Sequence, residues 1–259
     1  MMRKRIHRTC GVLVLALALA VLPSAGQGAM WVGAQLGANF AANTDVDFNV
    51  GGTVGSFKNA RVEPAVIAGL TIGYDFIREG FLGYNYPDWM KYFSFATDFT
   101  FNRFDMRQQF LDLTVNGVNF GKQTLGRSEG TMAVWSFLFI GKYGFFPDSE
   151  VPFGRLVPYV GVGPGIVFST METATFGGNS NSASSVDIAL VAEAGVRFMA
   201  LRNVSLDAAF RYRWCSPSYD FAPVNFGPNG DNQRSRSTPV NGSIDANQFS
   251  AILRASYHF

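Results

Sequence analysis

Residues 187–214 read DIALVAEAGVRFMALRNVSLDAAFRYRW, and this stretch decides the fold. Ile188, Leu190, Ala192, Ala194, Val196 and Phe198 recur at every second position, against Asp187, Glu193, Gly195 and Arg197. The alternation resumes after Asn203, with Leu206, Ala208, Phe210, Tyr212 and Trp214 set against Ser205, Asp207, Arg211 and Arg213. A period of two belongs to a strand, because successive side chains leave opposite faces. The segment Leu201-Arg202-Asn203 between the two runs reads as a hairpin turn with Asn203 in the left-handed conformation. That turn opposes residues whose numbers sum to 404, pairing Glu193 with Arg211 and Arg197 with Asp207 on one face.

Six further segments repeat the pattern. WVGAQLGANF puts Val32, Ala34, Leu36, Ala38 and Phe40 opposite Gly33, Gln35, Gly37 and Asn39. Around 63–77, Val66, Leu70, Ile72 and Tyr74 oppose Gly69, Thr71, Gly73 and Asp75. FSFATDFTF opposes its phenylalanines to Ser94, Asp98 and Thr100. The stretch 131–145 is less regular: Trp135, Phe137, Phe139 and Tyr143 share one face, and Leu138 and Ile140 the other. PYVGVGPGIVF alternates with glycine, and Pro164 within it predicts a lost ladder bond and a bulge. QFSAILRASYHF ends the chain with Phe249, Leu253, Tyr257 and Phe259 opposite Gln248, Arg254 and His258.

The connections alternate too. Long polar stretches (41–62, 103–129, 170–184, 216–246) follow odd-numbered segments, and shorter ones (78–90, 147–154, 201–203) follow even-numbered ones. Long loops on one side and short turns on the other is the arrangement of a transmembrane barrel. The fold class expected is therefore all-β: an eight-stranded antiparallel transmembrane β-barrel, with long extracellular loops, short periplasmic turns and periplasmic termini. Tracing the strands gathers Tyr74, Tyr143, Phe198, Tyr257 and Phe259 at the periplasmic rim. Phe40, Phe101, Trp135, Tyr212 and Trp214 gather at the outer one, as two interfacial girdles. A soluble sandwich or lipocalin-like barrel alternates in the same way, with its apolar face inward.

Composition agrees with a membrane span made of strands. Charged residues make up 15% of the chain against about 25% in ordinary soluble domains, and phenylalanine reaches 25 residues. Residues 1–28 have the order of a secretory signal: basic Arg3, Lys4, Arg5 and Arg8, apolar residues 12–22, then small residues, with cleavage near 26–28. Domain organisation is thus 1–28 signal peptide and 29–259 barrel. Without the leader, 17 lysines and arginines (21 less four) face 19 acids, so no basic surface for nucleic acid remains. Cys215 is then alone, with no intrachain disulfide open to it.

The runs PYVGVGPGIVF, AEAGVRF, LDAAFRYRW and the terminal RASYHF resemble the outer-membrane β-barrel domain family, which includes the membrane domain of OmpA-type proteins and the opacity proteins. The resemblance spans the mature chain and implies a Gram-negative outer-membrane location and contact with outer-membrane lipid and lipopolysaccharide. It also implies assembly by the outer-membrane machinery, which reads terminal aromatics such as Phe259 and Tyr257. Its motifs describe architecture and name no activity. No peptidoglycan-binding domain follows the barrel, so wall anchoring is not implied.

An eight-stranded barrel has an interior just wide enough for side chains. Its inward charges are Glu193, Arg211, Arg197 and Asp207, with Arg213, Arg254, Asp98 and Asp75 extending them, and buried charges need partners. A lumenal salt-bridge network that packs a monomeric barrel is the first expectation, with a structural or surface-interaction role. A narrow porin-like path for ions or small solutes is the alternative. A lipid-modifying enzyme is a third, with His258 and Ser256 on one face, but this histidine reads as incidental, and no enzyme is expected. No catalytic, cofactor-binding or metal residues are nominated. GVGPG lacks the dinucleotide spacing, and no Cys/His cluster exists for zinc. Asp45, Asp47 and Asn49 resemble the start of a calcium loop with Val50 at its glycine position, so a solvated loop is expected there. The stretch 176–185 reads as an exposed loop tip, and the long loops as a place for an extracellular ligand.

Overall fold

The computed structural model describes residues 30–77, 85–174, 180–226 and 236–259; the expected leader lies outside them. Fourteen strands follow in order. The first five are β1 (Met30–Ala41), β2 (Thr44–Val50), β3 (Thr53–Ala60), β4 (Ala65–Asp75) and β5 (Phe93–Met106). Next come β6 (Gln109–Val115), β7 (Val118–Leu125), β8 (Ser128–Lys142), β9 (Leu156–Ala174) and β10 (Ser180–Leu201). The last are β11 (Val204–Trp214), β12 (Ser218–Phe226), β13 (Arg236–Ile244) and β14 (Gln248–His258).

Eight of these close a barrel in the order β1-β14-β11-β10-β9-β8-β5-β4, every ladder antiparallel. The seam is β1 on β14, running from Trp31 opposite His258 to Ala41 opposite Gln248. Burial along β14 alternates without a break, with Leu253 69% exposed and Arg254 3%. The same holds around the circumference: Leu36, Leu70, Phe99, Phe139, Val160, Ile188 and Phe210 point out. This direction is opposite to that of a soluble barrel. A continuous apolar belt of this size is stable in hydrocarbon, not in water.

Three of the four long connections carry the strands of a second sheet. Its order is β12-β13-β2-β3-β6-β7, and it stands on the barrel end away from the termini. Val46, Phe57, Tyr219 and Ile244 from this sheet bury against Phe104, Met106 and Met171 of the barrel's upper strands. These strands read as polar loop in the sequence because their apolar residues are spaced among Asn, Gly, Ser and Asp. At the fourth connection β9 and β10 run on past the barrel, to 19 and 22 residues. Residues 180–185 are therefore strand and not loop tip, while 175–179 lie outside the described residues.

Two local expectations are corrected. Asn203 is not among the residues of positive φ; the turn closes as Leu201 opposite Val204, with a register shift at Ala200. Asn203 instead donates its side-chain amide to the carbonyl of His258 at 2.9 Å, tying the turn to the closing strand. Pro164 causes no bulge: β9 keeps a single register against β10, with Pro164 opposite Leu190. The ladder to β8 is interrupted instead, between the Ser136–Gly165 and Phe139–Val162 pairs. The barrel wall absorbs the missing donor without adding a residue.

Candidate functional site in the barrel lumen

The inward faces of β4, β5, β8, β10, β11 and β14 meet in one chain of charges. Arg211, fully buried, closes on Asp98 and lies 2.8 Å from Glu193 (Nε to Oε2). Glu193 accepts a second guanidinium from Arg254 at 3.0 Å and the Tyr159 hydroxyl at 2.9 Å. Arg254 reaches Asp207 at 3.5 Å and Gln35 at 2.9 Å. Asp207 pairs with Arg197 at 3.3 Å, and Arg197 approaches Asp75 at 4.0 Å. Asp75 ends the chain between Lys142 at 2.6 Å and Ser94 at 2.6 Å.

The signs alternate from Asp98 to Lys142, four carboxylates against four cations, so the set is neutral within itself. Charges taken out of water cost several kcal/mol each unless paired and hydrogen-bonded, and here each has an opposite neighbour. The Arg197 guanidinium also lies 4.5 Å from the Trp31 ring, which fills the terminal end of the lumen. Arg213 sits outside this chain. Its donors go to Asn102, Gln248 and Thr100, all neutral, at 3.0–3.4 Å.

All eight expected lumenal charges are thus buried inside the barrel, and seven of them join one chain. Lys142 and Tyr159 were missed, although both have the parity of residues already read as inward: Lys142 follows Leu138 and Ile140, and Tyr159 precedes the outward Val160. Beside the charges, Val134, Leu138, Ile140, Val167 and Val191 of β8–β10 form an apolar cluster inside the barrel, while Arg213, Thr100, Asn102 and Gln248 make a separate polar group.

His258 is buried, its Nε2 3.0 Å from Ser205 Oγ and its ring 6.2 Å from Trp31. Ser256 does not join it. The three polar residues that resembled a calcium loop lie on strand β2, where Asp45 pairs with Lys58 at 2.7 Å and Asn49 accepts from Gly52. Among the described residues no cluster suited to a metal ion occurs. Phe259 lies just past β14, its amide on the Met30 carbonyl at 3.0 Å and its ring 5.2 Å from Tyr257.

Outside the membrane-spanning part, two carboxylates among the described residues are held below their usual range. The Lys58 ammonium lowers Asp45. The Val151 amide and the Arg155 guanidinium lower Asp148 at the terminal end. A cleft of about 460 Å³ lies where β11 stops and β10 continues, lined by Pro164, Asp187, Ile188, Leu190, Trp214 and Ser216.

No family model and no curated protein matches the chain. Solved structures do. The outer membrane protein OprG from Pseudomonas aeruginosa is 14% identical, covers 91% of this chain and 98% of its own, and superposes with a TM-score of 0.50. Neisserial surface protein A is 12% identical, with 90% and 99% covered and a TM-score of 0.45. The chain has the outer-membrane β-barrel fold in its eight-stranded form.

Proposed function

We propose that this is an outer-membrane surface protein, in which a closed barrel serves as a pedestal for a folded external sheet. One observation carries the reading: a chain of paired charges crosses the lumen, and at the barrel's outer end an apolar core roots the second sheet to the rim. A lumen filled in this way supports a structural role better than the narrow porin-like alternative, since no side chain of the network is free to leave without stranding a charge.

In this reading the sheet faces outward and both termini face the periplasm, after export by a leader at 1–28. Phe259 and Tyr257 serve as the terminal signal for the assembly machinery. Val54, Phe110, Val118 and Phe120 are exposed on the sheet and offer an extracellular ligand an apolar contact. Thiol labelling tests the display. A Phe120→Cys variant on intact cells should react with a membrane-impermeant maleimide, whereas the buried Cys215 should not. Labelling of the introduced thiol only after cells are lysed would refute the orientation.

A second reading attaches to the wall cleft beside Trp214. Its largely apolar lining, with Asp187 and Ser216 at its polar side, suits a small, mainly apolar solute held at the outer end of the wall. Replacing Leu190 by Arg should then slow uptake of such a solute by cells, and unchanged uptake would remove this reading.

A further inference from the structure

The cations at the sheet-bearing end are unevenly placed. Along the outward face of β5, Phe101 is followed by Arg103 and Asp105, each two residues and about 7 Å farther from the membrane belt, and Arg107 comes just past the strand's end. Arg61 and Glu63 come alongside, since the Glu63 amide bonds the Asp105 carbonyl and Arg61 is held at both backbone groups by Gln109. Arg127 approaches from the start of β8, bonding Asp105 at 2.8 Å and Glu129 at 3.1 Å. Arg107 pairs with Glu63 at 2.9 Å. By contrast β2, β9 and β12 carry Asp47, Glu172 and Asp220 and no lysine or arginine.

Four arginines thus share one flank with three carboxylates, and the carboxylates are engaged by Arg107 and Arg127. Arg61 and Arg103 are exposed and have no carboxylate partner among the described residues. Arg103 is the first charge above the aromatic girdle of Phe101 and Trp135. Ile67 opposite Asn102 puts the exposed Val66 at its side. An exposed, unpaired guanidinium bordered by lipid-facing side chains sits at the height of lipid headgroups. Guanidinium binds phosphate with two parallel hydrogen bonds and loses little to desolvation.

We propose that this flank binds the phosphate groups of the outer-leaflet glycolipid, with Arg61 and Arg103 as the direct ligands. Arg107 and Arg127 neutralise Glu63, Asp105 and Glu129, which would otherwise repel the phosphate. The acyl chains of the same molecule lie against Val66, Phe101 and Trp135. The site rests on the outward orientation of the sheet proposed above, which thiol labelling examines separately.

The test is retention of diphosphoryl lipid A by the refolded full chain in detergent, measured by native mass spectrometry against the same lipid without phosphates. The parent should prefer the phosphorylated lipid. Arg61→Gln with Arg103→Gln, which breaks no ion pair, should lose about five-fold in retention for each guanidinium removed. Lys91→Gln at the opposite end should change nothing, and Arg103→Lys should recover part of the loss. Equal retention of both lipids by the parent, or undiminished retention by the double variant, would overturn the proposal. So would equal competition by soluble heparin, which would show a general polyanion surface. Should the double variant fail to fold, the parent's preference and Arg103→Lys decide the matter.

Discussion

Arg211 on β11 and Glu193 on β10 lie opposite each other, with Nε 2.8 Å from Oε2, and the same guanidinium closes on Asp98 across the barrel. One side chain thereby ties three strands through the lumen. Removing Glu193 leaves Arg211 and Arg254 each short of a carboxylate in a buried site. Glu193→Ala should cost about 3–5 kcal/mol of folding stability, read as the urea midpoint of folding into lipid vesicles. Substituting Glu193 and Arg211 together by apolar residues should cost less than the sum of the single changes. Full additivity would mean the two do not act as a pair.

Trp31 depends on a glycine. Gly73 faces it on β4, and a Cβ there would overlap the indole ring. Gly73→Val should push Trp31 off Arg197 and cost about 1–3 kcal/mol. The same titration measures it, and a change within error would mean the ring has room to move.

The turn at 148–155 should be acid-sensitive. The Asp148 carboxylate accepts the amides of Glu150 and Val151 and pairs with Arg155, so its folded pKa is depressed. A depressed carboxylate stabilises above its unfolded pKa, near 4, and loses that contribution as pH falls through the folded value. Amide exchange at Val151 should therefore quicken below about pH 4 relative to neighbouring strand amides. Asp148→Asn should remove this pH dependence; an unchanged profile in that variant would assign it elsewhere.

Phe259 separates two kinds of folding. Its amide adds one bond beyond β14, a small part of the barrel's stability. Deleting it should leave spontaneous folding into vesicles nearly intact while lowering the amount assembled in cells. Equal assembly in cells would remove its role as the terminal signal.

How much of this was legible follows from period two. The barrel strands, the division of each into two faces and the pairing of Glu193 with Arg211 all follow from alternation plus one hairpin register. Lys142 and Tyr159 obeyed the same parity, but Lys142 lay in the segment whose lumenal face is apolar, and Tyr159 among glycines. The second sheet was less visible because its strands are short and bury their inner face only against each other and the rim. Asn203 shows another limit: a residue able to adopt the left-handed conformation is used for its side-chain amide. Alternation is the same inside out, so the outward direction of the apolar face rested on the girdles, the loop asymmetry and the leader, and the exposed belt agrees with it.

In the proposed reading the lumen is closed by its own charges. Single-channel recording of the refolded full chain in planar bilayers tests it most directly, beside a variant with Glu193, Arg211 and Asp98 all replaced by alanine. The parent should be silent, with stepwise conductance only in the variant, where the middle of the charge chain is gone. Well-resolved, reproducible channels from the parent, with unitary conductance unchanged by the triple substitution, would contradict it.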